Sequence, residues 1–212
     1  MARKLNTQHQ EIFRLTMLAV LTAIVLVLQL TGTGIKIPVP GTTSISLTLI
    51  PIVLGAMILG PVGGAWLGFV FGLVVYLMGV TGADGFTFIL FSEHPFLTAL
   101  TCFGKGICAG FFAGLLYKAL MKFNPLAATF ASAAVAPILN TGLFILGALT
   151  MSDTLNANFV ADGSTVIYFL VIVCAGINFI FEFILNMVVA PALNIVMIHL
   201  GLVPKQTRAK EE

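Results

Sequence analysis

The chain has 212 residues, of which 59% are apolar and only 8% charged. A soluble domain carries about a quarter charged residues, so a chain this poor in them needs lipid as its solvent. The net charge of +2, with the basic residues spread out, argues against nucleic acid as a partner.

A helix that spans a bilayer needs about 20 apolar residues. The first such run covers residues 12–30. No small-residue cleavage motif follows it, so it reads as a retained helix rather than a signal peptide. A polar Gly/Pro-rich stretch, residues 31–46, comes next and contains Lys36, Pro38, Pro40 and Gly41. The apolar run after it is too long for one span. Gly60-Pro61 divides it, because proline disfavours helix at the residue before it. That predicts a short helix over 47–59 and a full span over 62–80. A loop with Asp84, Glu93, His94 and Pro95 leads to a span over 96–121, ended by Asn124-Pro125. A further span covers 126–151, a polar loop follows, and the last span covers 164–190, where Pro191 kinks or ends it. The expected fold is all-α: a six-helix transmembrane bundle forming a single membrane-embedded domain over residues 1–212.

Charge placement orients this bundle. Arg3, Lys4, Arg14, Lys118, Lys122, Lys205, Arg208 and Lys210 fall on one side; only Lys36 and Lys105 of the ten basic residues do not. The positive-inside rule makes that side cytoplasmic and places both termini there.

Lipid offers no hydrophobic drive between helices, so small residues must let them approach. Gly64, Gly68 and Gly72 repeat at four-residue spacing, as do Gly106, Gly110 and Gly114. Both series suit packing within the bundle. Ala19 and Ala23, with Thr16 on nearly the same face, form a similar patch on the first helix. That patch reads either as ordinary packing or as a docking face for a partner helix.

Polar groups at membrane depth are costly and face a protein or aqueous interior. Counted from the outer end at helical rise, Lys105 lies roughly 13 Å deep, Asn140 about 16 Å and Asn178 about 21 Å. These three side chains can converge on a cavity in the outer half, mostly apolar with a few placed polar groups, as small-ligand sites are. Lys105 would hold a carboxylate as a point charge; its ordinary alternative is snorkelling or pairing with Glu93 or Asp84. Lys36, in the external stretch, is a further candidate. Asn178, Glu182 and Asn186 share one inward helix face, with Glu182 and Asn186 read as structural.

No catalytic set is visible. A phosphate-binding loop around Gly104-Lys105 would need glycine at Ala99 and Ser or Thr at Gly106. Cys102, Cys108 and Cys174 form no CxxC pair, so no metal site is expected, and no cofactor is expected either. Inverted repeats with matching broken helices, a mark of many secondary transporters, are not evident. Concentrative transport would therefore draw energy from other subunits.

These features together, with Ala19-Val-Leu-Thr-Ala23, the run Ile37-Pro-Val-Pro-Gly-Thr-Thr and the run Leu49-Ile-Pro-Ile-Val-Leu-Gly-Ala-Met-Ile-Leu-Gly-Pro61, give a resemblance over nearly the whole chain. The chain resembles the substrate-binding (S) component of energy-coupling factor (ECF) transporters, bacterial vitamin importers. The resemblance implies a multi-pass protein of the bacterial cell membrane. It implies capture of a water-soluble vitamin from outside and docking through Ala19 and Ala23 onto a transmembrane coupling subunit, which connects to two cytoplasmic ATPases. Lys105, Asn140 and Asn178 suit a small anion with hydroxyl and amide groups, and the sequence most resembles the pantothenate type. Riboflavin, folate and cobalamin stay open as substrates, and a stand-alone secondary transporter stays open as a different class.

Overall fold

The computed structural model describes residues 7–31 and 47–202. Within them the chain forms α1 (Thr7–Thr31), α2 (Leu49–Leu59), α3 (Pro61–Val80), α4 (Gly85–Glu93), α5 (Pro95–Leu120), α6 (Pro125–Leu149), α7 (Ser152–Asn158), α8 (Val166–Tyr168) and α9 (Gly176–His199). A π-helical stretch, Phe169–Cys174, joins α8 to α9. Every backbone polar group in lipid needs an internal partner, which is why helix dominates. Five helices are long and apolar enough to cross a membrane, the last running from Val166 to His199, and α2 is a shorter apolar helix beside them.

The turn between α2 and α3 is built on Gly60, whose φ of +82° suits a residue without a Cβ. Pro61 then opens α3, where its missing N–H costs nothing. α3 runs antiparallel to α5, and the two glycine series meet face to face. A Cβ on Gly64 would collide with the Gly110 carbonyl, one on Gly68 with the Gly106 carbonyl, and one on Gly72 with the Cys102 carbonyl. The glycines therefore serve packing within the chain, and they let two backbones touch where no side chain would fit. α5 packs next on α6, and α6 on α9. Small buried residues, among them Ala113, Ala128, Ala133 and Ala136, keep those contacts close.

Three features differ from the sequence expectation. The stretch 81–95 contains α4, because Gly85–Glu93 carries its own apolar face; Phe86, Thr87 and Leu90 are buried. Asp84 starts that helix, and its carboxylate accepts a hydrogen bond from the Thr87 hydroxyl. The polar stretch after α6 likewise holds α7, anchored by buried Thr154 and Leu155. Pro191 does not end the last helix: α9 runs through it to His199. Neighbouring helices make an interior proline tolerable in membrane spans, and α9 packs on α6 and α2.

α6 begins at a strong cap. The Asn124 side-chain oxygen accepts from the Leu126 and Ala127 amides at 3.0 and 3.1 Å. Asn124→Ala should lower stability by about 1 kcal/mol, read as a lower midpoint in thermal unfolding of the purified protein in detergent. An unchanged midpoint would show the cap to be inert.

Candidate functional site

Lys105 sits on α5 ten residues below Pro95, a depth of about 15 Å at helical rise. It is half-buried. Its Nζ lies 5.0 Å from the centre of the Phe144 ring and 5.7 Å from that of Phe71. The ring faces carry partial negative charge and attract the ammonium. The two external acids that Lys105 could have paired with are engaged elsewhere. Glu93 accepts from the Thr154 hydroxyl at 2.5 Å, and Asp84 accepts from Thr87. Among the described residues, no carboxylate neutralises Lys105 through an ion pair.

Phe144 belongs to α6 and stands one turn from Asn140. The Lys105–Phe144 contact therefore brings the lysine to the same face of α6 that carries Asn140. Asn140 is 7% exposed, and its side-chain oxygen has no hydrogen-bond partner among the described residues. A buried acceptor left in that state costs about 1–3 kcal/mol. Such a cost is tolerated where the group has another use.

Asn178 is buried on α9, below the π-helical stretch. π turns recur at functional positions because they re-aim the residues after them. Gly176 accommodates this one: a Cβ there would press on the Val171 carbonyl. α9 packs on α6 and on α2, and both of those helices also pack on α5. Lys105 thus meets α6 at Phe144, one turn from Asn140, and Asn178 stands on α9, which also packs on α6. Glu182 and Asn186 are buried on the same stripe of α9, and Asn186 Nδ2 donates to the Glu182 backbone carbonyl at 2.8 Å. Lys36 lies outside the described residues, as does the stretch 32–46 that carries it.

Sequence reading missed the aromatic wall. Phe86 lies tilted against Phe144 and Phe159, at 5.9 and 5.0 Å between ring centres, and Phe159 stacks on Phe169 at 5.8 Å. Phe144 joins this cluster to Lys105, whose Nζ it shares with Phe71. The chain has eighteen phenylalanines, so composition alone does not single these out. The one local signal was Phe144 at four residues from Asn140.

On the opposite flank, α1 is the least buried of the spanning helices. Thr16, Ala19 and Ala23 are all exposed. Among the described residues, none of the three is buried against another helix.

The arrangement combines a cation at depth, an unsatisfied amide oxygen, an aromatic wall and a smooth outer helix face. It suits capture of a small polar molecule. No match is found among curated proteins or among solved structures. A family model described as "ECF transporter, substrate-specific component" matches residues 13–194, most of the chain. The chain is a multi-pass membrane protein and belongs to the substrate-specific component family of ECF transporters.

Proposed function

We propose that this chain captures a small carboxylate-bearing vitamin, with pantothenate the best fit, from the external side. It then delivers the vitamin inward together with a coupling subunit and two ATPases. The observation that supports this most is Lys105: a half-buried ammonium at depth with no ion-pair partner among the described residues, beside the unsatisfied oxygen of Asn140. A carboxylate on the ligand would neutralise Lys105. Ligand hydroxyl or amide N–H groups would donate to Asn140 and Asn178, and the apolar backbone of the ligand would lie against Phe71 and Phe144. An isolated charge that gains a partner away from water is worth far more than the same pair at a surface.

Calorimetry of the purified chain against pantothenate, riboflavin, folate and cobalamin tests the assignment. Pantothenate should bind one to one. Lys105→Ala should weaken it by about 3 kcal/mol, roughly a hundredfold, and Lys36→Ala by much less. Wild-type affinity in Lys105→Ala would end the carboxylate-anchor reading. Tight binding of another vitamin alone would keep the capture role and change the substrate.

A further inference from the structure

At the cytoplasmic end, far from Lys105, the start of α1, the α2–α3 turn and the end of α5 enclose a cleft of about 400 Å³. Arg14, Gly60, Pro61, Val62, Tyr117 and Lys118 are among its lining residues. Among the described residues that line it, two are cations and none is a carboxylate. Arg14 Nη2 donates to the Leu59 carbonyl at 3.1 Å, which fixes the guanidinium at the end of α2. The rest of its donor fork stays available for a planar or tetrahedral oxyanion. Lys118 is exposed at the end of α5. Tyr117 is 2% exposed, and its hydroxyl has no hydrogen-bond partner among the described residues. A buried tyrosine hydroxyl ordinarily has one.

The cleft lies at headgroup level. Trp66, one turn into α3, is exposed, as interfacial aromatics are. The surface beside the cleft is apolar and outward-facing: Val62, Leu15 and Leu115 are all exposed. A polar, cationic pocket that continues into a lipid-facing apolar flank has the shape of a phospholipid site rather than that of a free-ion site. Basic pockets between helices on the cytoplasmic side suit anionic headgroups, and the inner leaflet supplies them.

We propose that this cleft binds the headgroup of an anionic inner-leaflet phospholipid. The phosphate sits between Arg14 and Lys118, the Tyr117 hydroxyl is a third donor, and the acyl chains lie over Val62 and Leu115. The site shares no residue with the Lys105 region, so it stands or falls independently of the vitamin reading.

The test is lipid retention by the purified full chain, followed by native mass spectrometry during titration with phosphatidylglycerol or phosphatidylcholine of identical acyl chains. Phosphatidylglycerol should bind about thirtyfold more tightly, near the worth of two basic residues at a membrane surface. The double variant Arg14→Gln/Lys118→Gln should lose that preference, Tyr117→Phe should weaken it a few-fold, and Lys122→Gln, outside the cleft, should keep it. If the double variant does not fold, Lys118→Gln alone carries the test, since its side chain is exposed. Equal retention of the two lipids, or an unchanged preference in the cleft variants, would overturn the proposal. So would displacement of phosphatidylglycerol by millimolar inorganic phosphate, which would mark a free-ion site. Cleft variants that keep the lipid preference but no longer co-purify with a coupling subunit would assign the cleft to a protein contact and also overturn it.

Discussion

Gly68→Leu should leave no folded protein. Gly68 on α3 faces the backbone of Gly106 on α5, and even a single added carbon would strike the Gly106 carbonyl. That neighbour is backbone, so it has no rotamer by which to yield. The two helices must instead separate along the contact that Gly64, Gly68, Gly72, Gly106 and Gly110 hold closed. In water, burying the leucine would return part of the loss. In a bilayer, lipid tails solvate leucine as well as protein does, so close packing is what holds helices together. The expected cost exceeds about 3 kcal/mol, in the range of severe overpacking. It would be seen as loss of the monodisperse peak in detergent chromatography. Gly104→Ala is the matched control. Nothing lies within 4 Å of a Cβ there, and a mid-helix glycine replaced by alanine gains about 0.5–1 kcal/mol. Recovery of Gly68→Leu with the wild-type melting midpoint would refute the packing argument.

Ala19→Trp should abolish co-purification with the coupling subunit and ATPases while the chain itself still folds and binds its vitamin. Ala19 and Ala23 are exposed on the outward face of α1, so an indole there disturbs nothing inside the bundle. Against a partner helix it is prohibitive, because small residues at four-residue spacing are what let two helix backbones approach in lipid. An indole would hold the partner several ångströms away and remove the contact along the whole seam. The two readouts separate the causes: loss of both assembly and vitamin binding would mean a folding defect, and an intact complex would mean that α1 does not dock.

Much of this architecture is legible in the residues. Apolar runs mark the long helices, since length and composition alone decide what lipid accepts. Gly60-Pro61 marks the reversal, and the spacing of the two glycine series marks helix contacts. That these series meet each other, rather than a partner, depends on how α3 and α5 are rotated, and no local pattern records rotation. The same limit hid the aromatic wall. Lys105 and Asn140 stand out as polar residues in apolar runs, but the approach of Phe71 and Phe144 to Lys105 needs three helices in place. α4 went unseen because it has only nine residues, follows Asp84 and ends on Glu93, which reads as a loop beside its longer neighbours. The π-helical stretch has no signature either: Phe-Leu-Val-Ile-Val-Cys suits an ordinary α-helix equally well. The Pro-Val-Pro-Gly run carries part of the family resemblance and, like Lys36, lies outside the described residues.

The division between capture and power is tested most directly by uptake into liposomes. The purified chain alone, under imposed proton or sodium gradients, should bind labelled pantothenate yet concentrate none of it. Adding the coupling subunit and ATPases with ATP should start accumulation, and Lys105→Ala should stop it. Gradient-driven accumulation by the chain alone would contradict the account and make this protein a carrier in its own right.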